Sequence, residues 1–269
     1  MLDYRDSGAR TVLLGDREYP SYCEVDTRFG VELLGTDASI ANLTIRGPRE
    51  GVAIIVRGGA PSILHVAGDL EGPWQGPGYL RHFVFMSGGA NGRIADCVTD
   101  AHVHIEEASS PTVERNDLRA ALVVSSRRSR PLVRDNSLVV TTRSCSALGI
   151  HGASSPTVER NEIAWRDGSA IMVWCAHGAV IRDNIVRDSR TGITVVLAGD
   201  QPSTIENNDV QARTAGIVVA QSAPIVTGNL LHGLGAGSIV LAPGAQPTLA
   251  GNAIRSTGRP ILRVAGSAA

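Results

Sequence analysis

The residues best suited to chemistry are histidines. Four of the seven in this 269-residue chain, His82, His102, His104 and His151, stand out by their surroundings. His102 and His104 sit in Asp100-Ala101-His102-Val103-His104-Ile105-Glu106, where polar and apolar residues alternate. In a β-strand that alternation puts Asp100, His102, His104 and Glu106 on one face. Imidazole is half-titrated near neutrality, so it can remove or deliver a proton. Glu106 or Asp100 can orient a ring or act as the second acid/base group. Arg57 can hold a carboxylate or stabilise an enolate-like intermediate. Trp74 and Trp174 offer faces for a sugar ring to stack on. The His-x-His pair also suits a divalent metal, with His82 completing a His102, His104, His82 set. No cofactor is favoured over metal-free acid/base work. The plainer reading of the same residues is a solvated strand face.

What must position these side chains is a repeat. SSPTVERNDL (109–118), SRPLVRDNSL (129–138), SSPTVERNEI (154–163), GAVIRDNIV (178–186), PSTIENNDV (202–210), APIVTGNLL (223–231) and QPTLAGNAI (246–254) share one form. It holds an aliphatic residue, two variable residues, Asn, a spacer and another aliphatic residue, in most copies after a Pro. The asparagines, at 116, 136, 161, 184, 208, 229 and 252, fall 20 to 25 residues apart. A second phrase, Gly-Ile-x-Val or a variant, recurs around Ile150, Ile171, Ile193 and Ile217. Short β-type runs separated by Gly, Ser, Asn and Pro fill each repeat, with no helical period between them. One coil of a parallel β-solenoid has this length, and its strands stack on their equivalents above and below. The Asn column reads as a turn residue that tolerates a left-handed backbone, with amides able to bond from coil to coil.

The motif P-x-V-x-x-N-x-[LI] followed by G-I-x-V resembles the right-handed parallel β-helix proteins of the pectate-lyase-like superfamily, over about residues 90–255. The resemblance implies an all-β, single-stranded right-handed parallel β-helix of about ten coils, roughly 45–50 Å long. It implies no single activity, since such proteins include polysaccharide lyases, hydrolases, epimerases and binding modules. The acidic clusters of calcium-dependent lyases and polygalacturonase-like hydrolases are absent. The D-P-H-D signature of alginate-type epimerases is matched only in part, by Asp100-Ala101-His102.

Aligning the second phrase from coil to coil predicts the outward columns. Val103, Leu122, Ile150, Ile171, Ile193 and Ile217 are expected inside. His104, Val123, His151, Met172, Thr194 and Val218 then form one outward column. Glu106, Val196 and Ala220 form another, with Trp174 across from them. His82 is expected beside His102, Met86 beside Glu106, and Arg57 in the Glu106 column. Lower-ranked features are the arginine-rich turn SSRRSR (125–130), a solvated turn or an anion site, and Cys145 and Cys175, expected as buried small thiols in adjacent coils.

Composition narrows the function classes. With 43% hydrophobic residues and a net charge of −1, the chain is not disordered and is not a nucleic-acid binder by bulk charge. All 25 basic residues are Arg, which excludes a Schiff-base lysine or a Walker-type phosphate loop. No apolar run is long enough for a membrane helix. The first residues lack a signal-peptide pattern and the cysteines lack paired spacing, so a cytoplasmic protein with reduced thiols is expected. One domain is expected over 1–269, with opening strands and a cap over 1–37, a loop-bearing coil over 67–92 and a cap or tail over 256–269. Exposed coil ends make a homo-oligomer plausible. The expected function is lyase, epimerase, isomerase or cyclase chemistry on a saccharide or related small molecule. The alternatives are a binding or scaffold module for a glycan, peptide or subunit, and a metal-dependent enzyme.

Overall fold

The computed structural model describes residues 12–14, 21–24, 29–35, 37–46, 52–69, 82–141, 144–197, 199, 201–232, 235, 237–255 and 259–264. They form strands, bends and turns, and every strand pairing is parallel. The chain winds so that each strand lies beside the strand one repeat away.

One column of strands carries the histidines. In order it contains Phe29–Leu34, Val52–Arg57, His82–Ser87, His102–Ile105, Leu122–Val124, Ser146–His151, Ser169–Trp174, the C-terminal parts of Ile185–Val196 and Asp209–Ala220, then Gly237–Leu241 and Arg259–Arg263. Residues 259–263 of the expected tail therefore add another rung. Ile54, Val84, Val103, Leu122, Leu148, Ile171, Ile193 and Ile217 stack inside this wall and are buried. A second wall stacks Val113, Val133, Val158, Ile181, Ile205 and Val226, and a third stacks Leu118, Leu138 and Ile163. Like residues superpose because parallel pairing repeats the same register in every coil.

The repeated asparagines form a continuous ladder inside the coil. Each Nδ2 donates to the Oδ1 of the next, from Asn116 through Asn136, Asn161, Asn184, Asn208 and Asn229 to Asn252, at 2.9–3.0 Å. The left-handed residue is not the Asn. It is the residue just before it: Arg115, Asp135, Arg160, Asp183, Asn207, Gly228 and Gly251 all have φ between 54° and 65° except Asn207 at 53°. That turn aims the Asn side chain inward, where its amide satisfies buried backbone groups that water cannot reach.

Next to the ladder, two outward columns carry alternating charge. Glu114, Arg134, Glu159, Arg182 and Glu206 lie in one, and Asp96, Arg115, Asp135, Arg160 and Asp183 in the other. Arg115 clamps Asp96, and Arg160 clamps Asp135, each with two hydrogen bonds. Buried Glu114 is shared by Arg93, Arg115 and Arg134. Burial alone would raise its pKa, but these guanidinium hydrogen bonds hold it at about 2.

Candidate active site on the parallel-sheet face

The strand His102–Ile105 alternates as expected from Val103 onward: Val103 and Ile105 are fully buried, while His104 is partly exposed between them. His82 pairs with His102, but Val103 pairs with Val84, so the neighbouring strand has one extra residue at Phe83. Phe83 and Val84 both face the core, and a β-bulge accommodates the second of them. The bulge shifts the rest of the pairing by one. His104 lies beside Phe85, and Met86 lies beside Ile105 rather than beside Glu106.

The bulge also draws three imidazoles together. Ring centroids of His82 and His104 are 5.5 Å apart, those of His82 and His102 6.1 Å, and Phe85 packs edge-on to His104 at 5.2 Å. His102 is deeper than expected, with 7% of its surface exposed. At its level the next coils carry buried Ala121, Ala147 and Ala170, so this edge of the face is closely packed.

His151 comes to the patch by a different column. Leu148, not Ile150, continues the Leu122 stack, and Gly149 occupies the position beside Val123. His151 therefore follows Ser125 in the Glu106 column and pairs with Trp174, which pairs in turn with Val196. Its Nε2 folds back over Gly149, where a Cβ would lie only 2.6 Å away. A side chain at 149 would displace the ring. Trp174, half exposed, meets His151 edge-on at 6.1 Å.

At the centre, His104 Nε2 is 2.9 Å from Ser125 Oγ and 3.6 Å from Glu106 Oε2. Burial lowers the pKa of His104 to about 4, helped by repulsion from His102 and His151. Burial does the same for His82, to about 4, with His104 and His102 contributing. Burial also lowers His151. Glu106 is shifted upward, first by burial and then by Glu107. His82, His104 and His151 are thus uncharged at neutral pH, beside a carboxyl group that retains a proton more readily than usual. Such a set can accept and return a proton without first losing a solvation shell.

The other expected residues fall outside this cluster. Asp100 is exposed on the bend before the strand, because the chain turns there: the Ala101 N–H bonds to Thr99 Oγ1 and Ala101 is buried. Arg57 aligns with Ser87 and so lies in the Glu106 column as expected, two coils from Glu106, but its Nε donates to Glu32 Oε1 at 3.1 Å, so an acid already engages it. Trp74 lies outside the described residues. Among the described residues, no three His, Cys, Asp or Glu side chains are grouped so as to hold a metal ion, and His82, His102 and His104 do not form such a set. Cys145 and Cys175 are exposed free thiols rather than buried ones, and burial pushes the Cys97 thiol up to about 12. Ser125 and Gly149 were not singled out from sequence. Following the outward column two residues past Val123 leads to Ser125.

The family model described as the right handed beta helix region matches residues 101–268. The chain belongs to the right-handed β-helix family. No curated protein matches its sequence. Among solved structures, the β-helix is similar to a double mutant of the periplasmic alginate epimerase AlgG, with a TM-score of 0.68 and 14% identity over 88% of this chain and 64% of that one. A single mutant of that epimerase gives a TM-score of 0.58 at 13% identity over 87% of this chain and 63% of that one. A further AlgG structure gives 0.54 at 13% identity, over 84% and 77%. The present chain thus spans a little under two thirds of the first two, and at these identities the likeness is one of fold.

Proposed function

We propose that this β-helix is an enzyme acting on a saccharide or a related polyhydroxylated small molecule by histidine acid/base chemistry on its outward sheet face. The observation that carries the reading is the position of His104: uncharged at neutral pH, 3.6 Å from Glu106 and flanked by His82, His102 and His151. The AlgG structures add support, since a β-helix of this shape is named there as an alginate epimerase.

In this reading His104 removes a proton from a carbon next to a carboxyl or carbonyl group. Glu106, whose carboxyl group burial makes slower to lose its proton than usual, returns a proton to the intermediate or protonates a leaving oxygen. Return to the opposite face gives epimerisation, and loss of a β-substituent gives elimination. Trp174 supplies a stacking surface one strand beyond His151. In this reading side chains make both proton transfers, and dialysis against a chelator is expected to leave turnover unchanged.

The test is proton exchange. Uronic acids, aldonic acids and ketoses are incubated with the protein in heavy water and followed by proton NMR. Loss of a substrate C–H signal in the wild type, reduced about 100-fold or more in His104→Ala, supports the reading. Wild-type exchange that His104→Ala and Glu106→Gln leave unchanged would sink it. A second reading rests on Trp174 alone, a half-exposed indole beside His151: a binding module that holds a glycan without converting it. Glycan binding lost in Trp174→Ala, with no exchange in any substrate, selects that reading.

A further inference from the structure

Ser125 sits at the centre of the patch. It directly follows the Leu122–Val124 strand, in the column between Glu106 and His151. Its Oγ lies 2.9 Å from His104 Nε2. A hydroxyl within hydrogen-bond reach of a neutral imidazole, both open to one face, is the arrangement that activates a serine. Glu106 Oε2 lies 3.6 Å from the same nitrogen, an acceptor oxygen beside the imidazolium that forms when the serine proton is taken, whichever protonation state the carboxyl group holds.

The turn after Ser125 is positively charged. Arg127 and Arg128 are exposed on it, and φ is positive at Ser126 (76°) and Arg128 (69°), on either side of Arg127. Positive charge on the turn that follows a nucleophile suits the oxyanion of an acyl-transfer intermediate.

We propose that Ser125 is a nucleophile, with His104 as its general base, and that the site removes ester-linked acyl groups from its substrate. The inference rests on His104 acting as a base at the proposed site. The chemistry balances with water as the only co-reactant. Ser125 Oγ bonds to the ester carbonyl carbon while its proton passes to His104 Nε2, and the carbonyl electron pair moves onto oxygen. The intermediate collapses, the bond to the alcohol oxygen breaks, and that oxygen leaves with the proton from His104. Water then attacks the acyl-serine by the same route, releasing the carboxylic acid and restoring Ser125.

The test uses the full chain and a fluorophosphonate probe, with peptide mass spectrometry to locate the adduct. A stoichiometric adduct on Ser125 is expected, with a burst of p-nitrophenol from p-nitrophenyl acetate. His104→Ala should slow labelling about 100-fold while far-UV circular dichroism keeps its β-helical form. No adduct on Ser125 in the wild type, or labelling confined to other serines, overturns the proposal even if the variant fails to fold. The outcome is separable from that of the heavy-water experiment. Exchange without an adduct removes Ser125 as nucleophile and leaves the proton chemistry standing. An adduct without exchange keeps the nucleophile and removes the proton chemistry.

Discussion

His104 is surrounded by groups that resist its protonation, and this has consequences for both rate and stability. Its pKa of about 4, like that of His82, lies below the usual 6.5. Between those values the unfolded chain binds protons that the folded chain does not, so lowering the pH favours unfolding. The stabilising contribution is complete above about pH 6.5 and is lost as pH falls toward 4. Each such histidine contributes a slope of at most about 1.4 kcal/mol per pH unit. Denaturant titrations from pH 7 to pH 4.5 should show wild type losing stability faster than the His82→Phe, His104→Phe double variant. The same shift predicts that the acid limb of any pH–rate profile lies well below 6.5, nearer 4 to 5. Gly149→Ala gives a further check. The new methyl group meets the His151 ring, so activity should fall while the fold, set by the buried residues on either side, persists.

The strands and their ladders determine which of these side chains can meet, and here the sequence was informative in one respect and misleading in another. The recurring Asn and its flanking aliphatics indicated stacked coils, because each coil must satisfy the same buried turn. The outward facing of His82, His104 and His151 followed from strand alternation. The column of His151 did not. Leu148 and Ile150 both face inward, and a slip of two residues keeps every side chain on its own face while moving it to the next column. Alternation cannot detect such a slip, so His151 was matched to His104 instead of to Ser125. The bulge at Phe83 was hidden for a similar reason, since a single extra apolar residue leaves no mark on a short apolar run. The left-handed position was misassigned to Asn because Asn is the residue that recurs in every coil, whereas the position before it varies among Arg, Asp, Asn and Gly. The ladder itself yields a direct prediction. Asn161→Leu removes the acceptor used by the Asn136 backbone and side chain, and the donor to Asn184. Leaving buried groups unpaired on both sides should cost about 2–5 kcal/mol, well above an exposed substitution such as Glu162→Gln, and chemical denaturation measures the difference.

At the scale of the molecule, a solenoid separates local chemistry from distant structure, because each coil touches only its neighbours. The candidate site spans consecutive coils from His82 to Trp174, whereas the later coils carry Thr194, Val218 and Val240 on the same outward column. Those later coils serve chiefly as continuation of the tube. Excising residues 209–229 removes one ladder interval and joins Asn208 to Leu230, the residue that lies beside Asp209 one coil on. The joined chain keeps register, because Asn252 still follows as the next rung after one lost step. This variant should fold with the same far-UV spectrum, melt a few degrees lower for its smaller buried core, and retain proton exchange and Ser125 labelling. Excising residues 117–136 also removes one interval, joining Asn116 to Ser137, which lies beside Asp117 one coil on. It should fold as well, yet it deletes Ser125 and brings the coils of His104 and His151 into direct contact. Labelling should vanish and exchange should fall sharply. Equal loss of activity in the two excisions, with both chains folded, would mean that the chemistry depends on the far coils and is not confined to the histidine-bearing wall.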